Sequence, residues 1–315
     1  MSILSKDSLI SRSVYLYYRE NLNIQEISDR LGISRFRVSR YLKEAEETGM
    51  VTIQINDRDM HYDALACMLE KKYSVKRVVL VPVDRHEDND TLRRRVGAKG
   101  AQLMQNIPSG ASVGITLGRT MAYMVEALPK TTTKLAYVSE LTGGLGFVLS
   151  EYPSSALASL FAKKFFSYCY QLSAPIIVSD CEIAQSLCSD NSIAKTLEMS
   201  RQCDIAICGV TPFNKDSMLT RSGVMNDRDL RSIQERGGVG SIIGRFFDKD
   251  GKELDTEFKN RAIAIKMEEF LRIPERMILA GGWNKIEAIE GVLRGQLATT
   301  IVMDDFTANE LLNRE

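Results

Sequence analysis

From residue 57 to the C-terminus the chain repeats one pattern, a short apolar run followed by a longer amphipathic stretch, which restricts the fold more than any other feature. Strand candidates are 77–81, 112–115, 135–140, 176–178, 204–210, 277–280 and 300–303, and nearly all gaps between them hold helical periodicity. Strands separated by helices pair side by side only if each helix crosses a face of the sheet. The pattern predicts an α/β fold, a Rossmann-like parallel sheet covered on both faces. At 315 residues, 44% of them hydrophobic, the chain exceeds the roughly 100–200 residues of one domain. The texture changes at residue 56, so two domains are expected, 1–56 and 57–315. The pair Asp250-Gly251 suggests a hairpin in or beside the sheet.

The first 56 residues read as three helices and a short strand over 50–55. Asn23 and Ser34 are placed as N-caps of the second and third helices, and Gly49 ends the third. Counting Ile24 as position one, Ser28 fills the small fifth site, Gly32 the turn at nine and Val38 the core at fifteen, the spacing of a helix-turn-helix. The third helix carries Arg35, Arg37, Arg40 and Lys43 and no acid between Ser34 and Lys43, although residues 1–56 hold eight Lys or Arg against seven Asp or Glu. Positive charge is concentrated where phosphates would be met. Ser34, Arg35, Arg37 and Ser39 sit where side chains reach phosphates or base edges of double-stranded DNA, with Arg40 and Lys43 further along the backbone.

Elsewhere the sequence mainly excludes. Lys plus Arg and Asp plus Glu both total 41, so no uniformly basic coat is present. No apolar run approaches the roughly 18 residues of a membrane span and no secretory leader precedes the first helix, which predicts a cytoplasmic protein without a membrane partner. The six cysteines contain no CxxC pair and read as reduced, buried thiols, and His61 and His86 lie too far apart in sequence for a ligand cluster. Neither metal nor cofactor is expected.

Three glycine-containing loops follow strand candidates: Gly114 to Thr120, Leu141 to Gly146, and Gly281 to Lys285. Ligands of open α/β sheets bind beyond the carboxyl ends of the strands, where backbone N–H groups at helix starts favour anions. Thr116 and Thr120 offer hydroxyls, Arg119 and Lys285 offer cations, and no loop carries a carboxylate. None matches a dinucleotide or nucleoside-triphosphate fingerprint, so a small anion is indicated. Trp283 reads equally as a core residue or as a platform for a sugar. The helix over 60–73, with Leu65, Met68, Leu69 and Tyr73 in a stripe, reads as a subunit-interface helix or one packed on its own sheet.

Taken together, Tyr17-Tyr18, Gln25-Glu26-Ile27, Leu31-Gly32-Ile33-Ser34, Val38-Ser39-Arg40, Gly114 to Thr120, Gly143-Gly144, Gly244-Arg245-Phe246-Phe247-Asp248 and Gly281-Gly282 with Lys285 resemble the SorC family of bacterial sugar-responsive transcriptional regulators. The resemblance implies a helix-turn-helix head on a sensor similar to sugar-phosphate isomerases, assembled as a homo-tetramer on operator DNA. It implies an effector site at Gly114, Thr116, Gly118, Arg119, Thr120, Gly143, Gly144, Gly281, Gly282 and Lys285. The effector is a sugar or sugar phosphate, with L-sorbose or its phosphate the first choice. Where many members read Gly-Asp-Ile, this chain has Gly240-Ser241-Ile242, which removes a carboxylate. The competing reading is a sugar-phosphate isomerase with a DNA-binding head. It needs a positioned base, and Glu140 and Asp180 are the acids outside the loops that the sequence offers.

Overall fold

A computed structural model describes residues 5–51, 60–84, 87–145, 154–213 and 217–314. The chain divides into two compact units, Met1–Met60 and His61–Glu315.

The first unit holds α1 (Lys6–Tyr18), α2 (Ile24–Leu31) and α3 (Arg35–Glu47). Local chemistry sets their ends. Asn23 accepts from the Glu26 N–H while Glu26 accepts from the Asn23 N–H, a reciprocal capping box, and Ser34 accepts from the Arg37 N–H at the head of α3. Gly32 closes α2 at φ 62°, a conformation glycine adopts without steric penalty. Ile27, Val38, Tyr41 and Ala45, each at most 1% exposed, form the centre of the small core. Most of the strand expected over 50–55 lies outside the described residues.

The second unit is built on a seven-stranded sheet of β1 (Arg77–Val81), β2 (Ser112–Ile115), β3 (Tyr137–Glu140), β4 (Cys169–Tyr170), β5 (Ile205–Gly209), β9 (Glu275–Leu279) and β10 (Thr300–Asp304). The order is β1-β10-β9-β5-β2-β3-β4 and every pairing is parallel. Alternate residues enter two separate cores. Ala206, Cys208, Ile278, Ile301 and Met303 face one, and Ile207, Met277, Leu279 and Val302 face the other. This is the period-two signature of a sheet covered on both sides.

From β2 the chain proceeds through β3 to β4, then returns to the other flank of β2 with β5 and runs outward through β9 and β10. The order reverses between β2 and β5, and such switch points leave a crevice beyond the strand ends. An antiparallel sheet of β6 (Thr211–Pro212), β7 (Gly238–Ile242) and β8 (Arg245–Asp248) is inserted directly after β5. Its hairpin turns at Ile243 and Gly244, with φ 49° and 72°, the left-handed pair of a two-residue turn. The Asp250-Gly251 pair instead makes a following turn that brings Glu253 back beside Phe247.

Two further expectations need correction. Residues 176–178 form no strand; Pro175 and Ile177 make isolated bridges to Gly144 and Ala262, because this segment closes the gap between the sheet and the insert. Cys67 and Cys181 are exposed, and only Cys203 and Cys208 are fully buried. In the helix Met60–Tyr73, Leu65, Leu69 and Tyr73 join the sheet core while Met68 is 58% exposed.

Candidate functional site

In the first unit, the Ser28 hydroxyl donates to the Ile33 carbonyl at 2.6 Å, so the small side chain at the helix crossing also ties the turn. Arg35, Arg37, Ser39, Arg40 and Lys43 are all exposed along α3. Arg37 donates to the Tyr41 hydroxyl at 2.9 Å, and both Arg37 and Arg40 lie over the Tyr41 ring, at 5.7 and 5.9 Å. Stacking of this kind holds two otherwise flexible guanidinium groups on one side of the helix. Lys43 pairs loosely with Glu47 at 3.7 Å. Phe36, which the charge pattern passed over, is 77% exposed at the start of α3. An exposed aromatic beside a row of cations is the signal that marks it, since apolar side chains there can meet thymine methyl groups.

In the second unit, three elements meet at the carboxyl ends of the strands. A Cβ on Gly282 would lie 3.2 Å from Leu92 and 3.4 Å from the Asn89 side chain, so the loop after β9 abuts the start of the helix Asn89–Leu103. A Cβ on Gly97 would meet the Thr120 carbonyl at 2.9 Å, which locks that helix against the helix Arg119–Ala127. The second helix has no side-chain cap at Gly118, leaving its first N–H groups open. The other glycine loops are committed elsewhere. Gly143 and Gly144 donate their N–H groups to Ile263 and Ala174, and Gly282 donates to the Asp304 carboxylate at 2.7 Å. Gly114 and Gly143 have no room for a Cβ, with Leu141 at 2.3 Å and the Ala174 carbonyl at 2.5 Å.

Lys285 is partly buried in this meeting place. Burial, and then the nearby charges of Arg93 and Arg119, together lower its pKa to about 8. Arg93 sits four residues into the helix Asn89–Leu103 and is itself partly buried; burial and Arg119 lower its pKa too, against Asp90 and Asp88. None of these three cations forms a side-chain hydrogen bond or an ion pair among the described residues. Its neighbours in the run are occupied, Arg94 with Asp90 at 3.4 Å and Arg95 with Glu87 at 2.8 Å. Arg93 is not marked out by the sequence pattern. Its one signal was Gly97 a turn later on the same face, where the two helices touch.

Next to this cluster a cavity of about 50 Å³ occupies the β2/β5 switch point. Thr116 and Leu117 line it from the loop after β2, Gly209 from the end of β5, and Thr211, Ser241 and Ile243 from the insert. Ser241 stands where the missing carboxylate of Gly-Asp-Ile would be, and contributes a hydroxyl instead. Arg245 is not a ligand-facing cation. It is 6% exposed and donates to the carbonyls of Lys259, Ala264 and Ile265, stapling the insert to the sheet. Trp283 is 71% exposed at the rim and is no core residue. Asp180 is an N-cap, accepting from Ile183 N–H.

The unpaired lysine has a measurable cost. Below about pH 8 the ammonium is charged in both folded and unfolded chains, and the folded state bears the desolvation and repulsion. Between about pH 8 and the ordinary lysine value of 10.5, the folded chain releases this proton while the unfolded chain keeps it, so stability gains from rising pH across that window. Lys285→Met should raise the urea midpoint at pH 7, and its advantage over the wild type should shrink by pH 10. Urea unfolding of both proteins at the two pH values checks this, and equal midpoints at pH 7 would contradict it.

Residues 59–313 match the Sugar-bind family of sugar-binding domains, and residues 11–47 match region 4 of sigma-70. The deoxyribonucleoside regulator of Bacillus subtilis is 30% identical over 98% of both chains. The transcriptional regulator LsrR of Escherichia coli O157:H7 is 27% identical over 98% of this chain and 96% of that one. In fold, the full-length sorbitol operon regulator SorC of Klebsiella pneumoniae superposes with a TM-score of 0.75 at 24% identity, over 98% of this chain and 100% of that one. These relatives are transcriptional regulators, which sets the isomerase reading aside. With a sugar-binding domain spanning most of its length behind a helix-turn-helix, the chain belongs to the SorC family of bacterial sugar-responsive transcriptional regulators.

Proposed function

We propose that this regulator controls a carbohydrate catabolic operon in the cytoplasm, with residues 1–56 holding double-stranded operator DNA and residues 57–315 holding an anionic sugar. The observation that carries the sensor reading is the gathering of Arg93, Arg119 and Lys285, unpaired among the described residues, beside a switch-point cavity. Arg93 and Lys285 are partly buried and Arg119 is exposed beside them; cations withdrawn from water without partners are costly, and a phosphate supplies the missing charge and acceptors. The effector is a sugar monophosphate, its phosphate at Lys285, Arg119 and the open helix start of Gly118 and Thr120, its carbon chain towards Thr116. Gly114, Gly143, Gly144, Gly281 and Gly282 give the walls their close approach. L-sorbose phosphate is the first sugar to try. The name of the Bacillus subtilis relative, a deoxyribonucleoside regulator, makes deoxyribose-containing ligands the second class to try.

A ligand shifts DNA affinity only if it binds one arrangement of the protein better than another. Lys285→Ala should therefore abolish the response of operator binding to the sugar phosphate while leaving ligand-free DNA affinity within about twofold. A normal response in that variant, read by fluorescence anisotropy of labelled operator, places the pocket elsewhere.

On the DNA side, Ser34, Arg35, Arg37, Ser39, Arg40 and Lys43 form the reading surface. Arg35→Ala and Arg37→Ala should each weaken operator binding, by roughly 1–3 kcal/mol where a bidentate base contact is lost. Wild-type affinity of both variants across a salt series would remove the assignment.

One helix-turn-helix presents one recognition helix, and specific affinity comes from paired half-sites. The protein is accordingly a homo-oligomer, and family membership favours a tetramer. A monomer at micromolar concentration in sedimentation, with and without operator, is the result that this assembly does not survive.

A further inference from the structure

Glu140 ends β3 and is 7% exposed, yet among the described residues no cation pairs with it. One carboxylate oxygen, Oε2, accepts the Leu172 N–H at 2.7 Å; Oε1 has no hydrogen-bond partner among the described residues, and neither has the Thr142 hydroxyl. Both residues line a cavity of about 10 Å³ with Ile115, Thr116, Leu117 and Ala158. That is room for a single water or one hydroxyl oxygen. The cavity adjoins the 50 Å³ switch-point cavity, because Thr116, Leu117 and Thr142 line both.

A free carboxylate oxygen is an acceptor only, and a threonine hydroxyl both donates and accepts. Together they match a hydroxyl group and offer nothing to a second anion. We propose that Glu140 is a specificity-determining residue of the sensor, its free oxygen accepting a hydrogen bond from one hydroxyl of the bound sugar while Thr142 and Thr116 flank that hydroxyl. The inference rests on the sugar-phosphate reading of the site. The sheet supports the polarity: β3 lies three strands from β9, after which Lys285 follows. At about 4.8 Å per strand the span is roughly 14 Å. A five- or six-carbon chain with a phosphate held at one end and a hydrogen bond made at the other fills such a distance.

A site built to bond a hydroxyl discriminates strongly against the analogue lacking it, because its own polar groups are then left unpaired. The test uses the full chain and a panel of paired probes: ribose 5-phosphate with 2-deoxyribose 5-phosphate, glucose 6-phosphate with its 2-, 3- and 4-deoxy analogues, and sorbose 1-phosphate and inorganic phosphate as single ligands. Binding is read by the fluorescence of Trp283, the sole tryptophan, and by thermal shift. In the wild type, one pair should separate by tenfold or more in favour of the hydroxylated member. In Glu140→Gln that ratio should collapse to within about twofold, with Thr142→Val moving it the same way. Glutamine retains an acceptor for the Leu172 N–H, and circular dichroism confirms that each variant folds.

If the wild type separates no pair, or Glu140→Gln keeps the wild-type ratio, the proposal is overturned while the cationic end stands. If no sugar phosphate binds the wild type and inorganic phosphate binds Lys285→Met as well as wild type, the sensor reading falls and this proposal with it.

Discussion

Every strand of the main sheet runs the same way, and most of what this unit can do follows from that. Parallel strands put all their carboxyl ends on one rim, and every return to the other end must cross a face, so both faces are buried under helices. The rim is then the one place where the chain can gather side chains from strands distant in sequence. Thr116, Glu140, Gly209 and Lys285 come from four different strand ends and reach the same rim for no other reason. Asp304 fixes the detail. At 1% exposure it accepts from the Gly282 N–H and from both the N–H and the hydroxyl of Thr307, and its Oδ2 fills the space where a Cβ on Gly281 would sit. One buried carboxylate thus caps the last helix and holds the loop that delivers Lys285.

What could be read in the sequence was whatever is settled within a few residues. Asn23, Gly32 and Ser34 act on backbone groups three or four positions away, so the helix-turn-helix was legible with its caps. Strand runs such as 77–81 were legible for the same reason. The two-residue β4 was not, because Cys169-Tyr170 pairs only with β3 at the sheet edge and carries no alternation of its own. Residues 176–178 looked like a strand because apolar residues that close a gap have the composition of those that build a sheet. In the site, Lys285 was visible behind its two glycines. Arg93 was hidden in a run of three arginines, since only the fold decides that Arg94 and Arg95 find carboxylates on the surface and Arg93 does not. Glu140 was noticed and left without a role, because an acid at a strand end is ordinary until a cavity opens beside its second oxygen.

One motif of the family resemblance, Gly244 to Asp248, has a structural part to play. Arg245 spends its guanidinium on three backbone carbonyls and an ion pair with Glu253 at 3.7 Å, and Asp248 accepts from the N–H groups of Asp250 and Lys252 to shape the turn after β8. Segments that specify a fold and segments that touch a ligand are equally distinctive as sequence, and only the hydrogen-bond partners separate them.

On the proposed reading the crevice makes two different demands of its ligand, a negative charge to face Lys285 and a hydroxyl to face Glu140. A ligand that meets both gains binding free energy at each end. The walls belong to different parts of the unit. Thr116 and Glu140 are on the rim of the main sheet, Ser241 and Ile243 on the insert, and Lys285 on a loop pinned by Asp304. An occupant bonded to the rim and packed on the insert favours the one spacing of these walls that satisfies both contacts, whereas an anion held at the cationic end alone leaves that spacing unspecified. Size and polarity of the ligand are consequently read as a geometric preference, and a regulator needs that difference between states in order to respond at all.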